Sequence, residues 1–158
     1  MAFTAYHVGI LVADIDAAIT KFSDKLDLSF APIQEMEVPM HGGIEGLVKM
    51  KATYSTEGPM YIELVQGSDE DEGIFSLKNG EGLHHVGMWS GDFASYQARE
   101  PQACLPCFST IEMMPGATTM WLTNPADLCG TRIEFVDEMM KPGLDAWIRG
   151  EMPPGAVG

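Results

Sequence analysis

His7-Val8-Gly9-Ile10, followed by Asp14, is answered later in the chain by His85-Val86-Gly87-Met88, followed by Asp92. In both copies the aspartate lies seven residues beyond the histidine. Each copy also closes alike, on Tyr61-Ile62-Glu63-Leu64-Val65 in the first and Arg132-Ile133-Glu134-Phe135-Val136 in the second. A duplication of this kind signals a fold built from two similar units. It also delivers two imidazoles and two carboxylates, a donor set suited to a divalent metal ion.

Working outward, the first copy spans residues 5–66. Tyr6–Val12 is apolar and β-branched and reads as a strand. Asp14 is placed to cap a helix over Ile15–Leu26, where Ile15, Ala18, Ile19, Phe22 and Leu26 recur at helical spacing. Leu28–Val38 reads as a strand with an irregular end at Pro32, followed by a loop over Pro39–Gly43 that carries His41. Leu47–Tyr54 and Met60–Val65 form a hairpin turning at Thr56-Glu57-Gly58-Pro59. An acidic linker, residues 67–82, follows and contains a helical turn at Ile74–Lys78. The second copy, residues 83–137, repeats the order. It has a strand at Leu83–Trp89, a helix capped by Asp92 and running to Arg99, a strand-like Ala103–Met113 interrupted at Pro106, a strand at Thr118–Thr123 and a last strand at Thr131–Val136. A tail, 138–158, holds a short helix at Gly143–Ile148 and is expected to fray after Met152. Both copies therefore read β-α-β-β-β, an α+β arrangement within one domain.

Side chains alternate across a strand. His7 thus shares a face with Gly9 and Leu11, and His85 with Gly87 and Trp89. Glu63 lies opposite Ile62 and Leu64, and Glu134 opposite Ile133 and Phe135. Each of these strands has one apolar face for a helix and one face carrying a single ligand. Burying four such groups without partners would cost several kcal/mol, about the scale of an uncompensated buried charge, and a shared cation offsets that cost. The glycines leave open space beside each histidine, read here as room for a ligand. His84 is one residue out of register and belongs to the helix side.

Composition restricts the alternatives. A formal net charge of −14 argues against nucleic acid, which requires a basic surface, and against anionic membranes. No apolar run approaches the ~20 residues of a membrane span, no signal peptide is read, and a cytoplasmic setting is expected. The three cysteines are too few for a disulfide framework; Cys104-Leu105-Pro106-Cys107 and Cys129 are expected as buried or half-buried thiols.

On the two His-Val-Gly and two Ile-Glu motifs the chain resembles the vicinal oxygen chelate superfamily, which includes glyoxalase I, methylmalonyl-CoA epimerase, extradiol dioxygenases, and fosfomycin and bleomycin resistance proteins. The resemblance covers residues 5–137. It implies two tandem βαβββ modules in a cup-shaped, barrel-like sheet with helices outside, a homodimer, and a metal held by His7, Glu63, His85 and Glu134. Leu77-Lys78-Asn79-Gly80-Glu81-Gly82-Leu83-His84-His85 is most similar to the methylmalonyl-CoA epimerase branch, and the four-ligand set also fits glyoxalase I.

The function expected is that of a divalent-metal-dependent isomerase, epimerase or lyase acting through an enolate on a small molecule with vicinal oxygens. The metal is one of Co, Ni, Mn, Zn, Mg or Fe. The abundance of methionine, including Met36, Met40, Met50, Met113, Met114 and Met120, points to an adaptable cavity and an apolar substrate. Glu45, His41, or a displaced Glu63 or Glu134 is the expected proton-transfer group. The alternatives are an Fe(II)-dependent dioxygenase and a non-catalytic small-molecule binder of the same fold.

Overall fold

The computed structural model describes residues 4–43, 45–69, 73–91, 107–113 and 116–152. Eight strands form a closed barrel: β1 Thr4–Val12, β2 Gln34–Gly42, β3 Gly46–Tyr54, β4 Tyr61–Gln66, β5 Gly82–Ser90, β6 Cys107–Ile111, β7 Met120–Thr123 and β8 Ile133–Asp137. Around the barrel the order is β1-β4-β3-β2-β6-β7-β8-β5. The β1–β4 and β5–β8 pairs are parallel and the remaining neighbours antiparallel. The two copies meet along β1–β5 and again along β2–β6.

Helix α1, Ile15–Leu26, forms as its caps direct. Asp14 accepts a hydrogen bond from the Ala17 N–H at 3.0 Å, and Gln66 Oε1 accepts from the Ile15 N–H at 3.1 Å. Loss of such a cap typically costs about 1 kcal/mol. Ile15 and Ala18 are buried against Val12 and Leu64 on the outside of the barrel, with Ile19 and Phe22 beside them. The corresponding helix expected after Asp92, residues 92–99, lies outside the described residues, as do Cys104, Leu105 and Pro106 of the C-x-x-C motif, Met114, and residues 153–158 of the tail.

Three expectations change. The strand expected over Leu28–Val38 instead begins at Gln34 and runs to Gly42. Its alternation is strict: Gln34, Met36, Val38 and Met40 are buried, while Glu35, Glu37 and His41 are exposed. Residues 27–33 connect irregularly, and the Pro32 carbonyl accepts a hydrogen bond from the Trp147 indole at 2.7 Å. His41 is therefore on a strand, facing out, because it has the same parity as Glu35 and Glu37. Finally, Cys129 is exposed, at the left-handed end of a 3-10 turn over Pro125–Leu128.

The chain closes with helix α2, Lys141–Ile148, entered through a 3-10 turn at Glu138–Met140. Trp147 and Ile148 are buried in the main core with Met40, Tyr54, Ile111 and Leu122, and Leu144 packs against the same cluster. No helix among the described residues is long and apolar enough to cross a membrane.

Candidate metal centre

The four strands that carry the duplicated motifs are consecutive around the barrel, in the order β4-β1-β5-β8. Their register is reciprocal. Gly9 pairs with Glu63 on one side and with His85 on the other. Gly87 pairs with Glu134 on one side and with His7 on the other. Side chains at paired positions project to the same side of a sheet, so this register brings all four groups to the inner face of the barrel. His7, Glu63, His85 and Glu134 are all buried.

The space beside the glycines has an occupant. A Cβ added at Gly9 would lie 2.0 Å from Cε1 of His85, and one at Gly87 would lie 1.9 Å from Cε1 of His7. The sequence reading of that space as room for a ligand is thus corrected: each glycine accommodates the imidazole of the other copy.

The donor atoms converge. His7 Nε2 and His85 Nε2 are 2.8 Å apart. His7 Nε2 lies 3.4 Å from Oε2 of both Glu63 and Glu134, and His85 Nε2 lies 3.1 and 3.5 Å from the same two oxygens. All four donors fall within 4.8 Å of one another. Ligands held at ~2.1 Å from one cation are spaced by roughly 3.0 Å at right angles and roughly 3.4 Å at tetrahedral angles. The observed spacings of 2.8–3.5 Å bracket that range, and two nitrogens with two carboxylate oxygens suit Co, Ni, Mn, Zn or Fe.

Electrostatics point the same way. Burial disfavours a charged His7, but the Glu134 and Glu63 carboxylates outweigh it and raise the imidazole to about 9. Burial likewise opposes a charged Glu63, yet His7 and His85 hold its carboxyl well below the usual range. The cluster therefore attracts positive charge, which a proton on His7 or a metal ion can supply.

The outer supports differ between the copies. His85 Nδ1 is 2.9 Å from Nδ1 of His84, whose Nε2 is 2.7 Å from the Ile74 carbonyl and 2.6 Å from the Arg132 guanidinium. A metal-binding His85 Nε2 requires the proton on Nδ1, donated to His84 Nδ1; His84 then carries its own proton on Nε2 and donates it to Ile74, so that the Arg132 guanidinium, which can only donate, stands beside this N–H as a charge and not as its hydrogen-bond partner. Burial, with the charges of His85 and Arg132, depresses His84 to about 3, so it stays neutral. His7 Nδ1, in contrast, is buried without a hydrogen-bond partner among the described residues. Tyr54 stands opposite Glu63 in the β3–β4 register. Its own ionisation is pushed well up, by burial first and then by the neighbouring Glu63 charge.

Above the four groups lies an apolar chamber. Met36, Met50, Met113 and Met120 line it, as expected from their number and position, whereas Met40 is wholly buried in the core. Trp89 lines the chamber from the face it shares with His85, as strand alternation predicts, whereas the sequence reading did not find Tyr6 and Tyr54, nor the contribution of α2 through Leu144 and Trp147. Strand alternation sends Tyr6 to the face opposite His7, and the register shift between Ala5 and His7 in the β1–β5 pairing breaks that alternation without a signal in the sequence; the tail offered none either. His41 and Glu45 are elsewhere. Both are exposed at the β2–β3 turn, where Glu45 accepts from the Gly42 N–H at 2.7 Å and lies 3.4 Å from His41 Nδ1. The Gly42 hydrogen bond, with a smaller contribution from His41, lowers the Glu45 carboxyl. Neither residue lines the chamber.

Residues 6–107 match the model of the glyoxalase/bleomycin resistance protein/dioxygenase superfamily. No curated protein sequence matches the chain. Among solved structures, a hypothetical protein from Bacillus halodurans aligns with TM-score 0.63 and 21% identity, over 87% of this chain and 96% of its own. Methylmalonyl-CoA epimerase from Mycobacterium tuberculosis aligns with TM-score 0.61 and 21% identity, over 89% and 91%. A variant of Streptomyces coelicolor methylmalonyl-CoA epimerase, in complex with 2-nitronate-propionyl-CoA, aligns with TM-score 0.60 and 17% identity, over 86% and 98%. At these identities the structural likeness describes the fold. Together with the closed eight-stranded barrel, the family match over more than half of its length shows that the chain belongs to the glyoxalase/bleomycin resistance protein/dioxygenase superfamily.

Proposed function

We propose that the protein is a divalent-metal-dependent enzyme of the isomerase, epimerase or lyase type, acting through an enolate on an apolar small molecule with two adjacent oxygens. The observation that carries this reading is the convergence of four buried donors beneath an apolar chamber, each histidine nitrogen 2.8–3.5 Å from the other three donors and all four within 4.8 Å of one another. His7, Glu63, His85 and Glu134 are the residues that would hold the ion. When bound, it would supply Lewis-acid stabilisation of the charge that develops on the substrate oxygens.

The chain's own residues divide the remaining work. Apolar walls exclude water, which strengthens every charge interaction inside them. Tyr54 packs opposite Glu63 in the β3–β4 register and edge-on against His7, and so walls in the Glu63 side of the cluster. Glu134 is accordingly the carboxylate we assign to proton transfer at the α-carbon. Returning the proton to the opposite face gives epimerisation, moving it gives isomerisation, and expelling a neighbouring group gives elimination. A second carboxylate beyond the two-histidine, one-carboxylate triad favours this chemistry over the Fe(II) dioxygenase alternative.

The test is to load the purified protein with Co(II) or Mn(II) and follow solvent deuterium entering the α-position of apolar α-hydroxyketones by NMR. Exchange that needs the metal and falls at least 100-fold in Glu134→Gln supports the reading. Failure of the four-residue cluster to bind any divalent ion would overturn it, and undiminished exchange in Glu134→Gln would remove that residue's role.

A further inference from the structure

The chamber has an unusual wall. Met140, Leu144, Trp147 and Met152, all beyond the last strand, line it together with the barrel residues. Trp147 is the largest of the four and is buried. Its ring meets Tyr54 edge-on at 5.0 Å between centroids, and Tyr54 in turn meets His7 edge-on at 5.5 Å. The C-terminal segment thus reaches to within two side chains of the donor cluster.

Two further observations bear on what the chamber can accept. It leaves about 60 Å³ of free space, against the roughly 150 Å³ of an engineered apolar cavity that takes up benzene. Any substrate larger than a few atoms must therefore displace part of the wall. Its charged lining residues, among those described, are Glu63, His85 and Glu134, and no lysine or arginine is among them. Lys141 stands over the Trp89 ring at 5.1 Å, but its ammonium is held by Glu138 at 2.8 Å and does not line the chamber. A phosphate or a free carboxylate on the substrate would enter a low-dielectric space whose two buried carboxylates already offset the charge of one divalent ion, with no lysine or arginine in the described lining to pair with it.

We infer that the C-terminal segment Glu138–Met152 is the size gate of this site, that Trp147 is the residue that limits how long a ligand can be, and that the site takes compact apolar ligands whose only charge lies on the chelating oxygens. Coenzyme A esters, the ligands of epimerase structures that share this fold, are excluded. This inference rests on the proposed metal centre, and it names the substrate class of that centre. The segment suits the role because few polar anchors hold it to the described residues of the barrel. The Trp147 indole bonds to Pro32, while Met140, Leu144 and Met152 contribute flexible apolar contacts that can repack around a guest.

The experiment uses the full chain loaded with Co(II), its metal stoichiometry measured first. Acetohydroxamate, benzohydroxamate and 2-naphthohydroxamate, bidentate oxygen ligands of increasing length, are then titrated by calorimetry into the wild type, Trp147→Ala and Leu144→Ala. In the wild type, 2-naphthohydroxamate is expected to bind at least tenfold more weakly than benzohydroxamate. Trp147→Ala is expected to gain affinity in proportion to probe length, at least tenfold for the naphthyl probe, with Leu144→Ala moving the same way by a smaller factor. Leu144→Ala keeps the test decisive if Trp147→Ala does not fold. Methylmalonyl-CoA at 1 mM should not displace benzohydroxamate from the wild type. A gain independent of probe length in the folded variants, or displacement by methylmalonyl-CoA, would overturn the inference while leaving the metal centre intact. Absence of Co(II) binding in the wild type is the distinct result that would overturn the functional reading beneath it.

Discussion

The two halves of the donor cluster are alike in backbone and unlike in support. In each, a histidine two residues before a glycine faces the glycine of the other half, and a glutamate stands in register with the glycine of its own half. Beyond the donors the symmetry ends. His85 is backed by His84, Ile74 and Arg132, whereas His7 has no hydrogen-bond partner for its second nitrogen and is enclosed by Tyr6 and Tyr54. Duplication therefore accounts for where the donors stand. Divergence accounts for how each is held: one imidazole by a polar relay, the other by packing.

The most severe test of the shared backbone plan is to fill the glycine positions. Gly87→Ala and Gly9→Ala would each drive a methyl into the opposite imidazole, at 1.9 and 2.0 Å from its nearest carbon. Neither neighbour can yield easily, because both rings are buried. Overpacking of this kind costs about 1–3 kcal/mol, and the displaced imidazole can no longer meet its three partners. Both variants should show a lower Tm and at least a 1,000-fold loss of Co(II) affinity by calorimetry. His7→Ala and His85→Ala should lose metal affinity on the same scale but retain more stability. Tight binding in either glycine variant would show that the imidazoles can be seated another way, and the reciprocal register would lose its meaning.

How far the sequence disclosed this arrangement depends on which physical signal each residue left. The His-Val-Gly and Ile-Glu repeats placed His7, Glu63, His85 and Glu134 correctly on inward faces, because strand alternation is local and each copy corroborates the other. The same logic, applied strictly through Met36, Val38 and Met40, would have placed His41 outside; Pro39 was instead read as the end of the strand. A proline is tolerated there, and its carbonyl still accepts from the Glu112 N–H at 3.1 Å. The space beside the glycines reads from the sequence as room for a ligand, and its true occupant, the opposite imidazole, depends on the pairing of β1 with β5, a long-range fact that no local pattern carries. Trp147 left no signal for the same reason: its partner Pro32 is 115 residues away in sequence.

The next largest effect reads the His7 proton through pH. Without metal, His7 is held at about 9 by Glu134 and Glu63 against the effect of burial, compared with roughly 6.5 in an unfolded chain. Because the folded value is raised, its contribution to the stability of the metal-free protein is fully present below pH ~6.5 and is lost as pH rises through about 9. Metal must displace the same proton. Apparent Mn(II) affinity should therefore rise about tenfold per pH unit between pH ~6.5 and ~8.5, while the metal-free Tm falls over the same interval. His84 does not confound the measurement, since it is held at about 3. A pH-independent affinity would show that His7 is not the group from which the metal takes its proton.

A smaller effect is expected from the polar relay itself. His84→Ala removes the acceptor that fixes the proton of His85 on Nδ1, and substitutions of such outer partners typically cost 10–100-fold in metal affinity. The loss should stay well short of that in His85→Ala. A loss equal to that of His85→Ala would make His84 a ligand and His85 its support, and the register would be wrong by one residue.

The smallest effect is expected at His41 and Glu45, and its smallness is informative. The two interact with each other at the β2–β3 turn, and His41 also lies 3.6 Å from Glu112. Both side chains are more than half exposed, at 52% and 68%. An ion pair in that setting contributes little, because water screens it and two side chains must be ordered to form it. His41→Ala and Glu45→Ala should each leave stability within about 0.5 kcal/mol, with metal affinity and α-proton exchange within about twofold of wild type. Glu45→Ala should cost slightly more than His41→Ala, since it also releases the Gly42 N–H. If either substitution instead lowered exchange tenfold or more with metal affinity intact, the β2–β3 turn would have to close onto the chamber during the reaction. Proton transfer would then belong to an element in which the two copies differ, and not to the symmetric pair of glutamates.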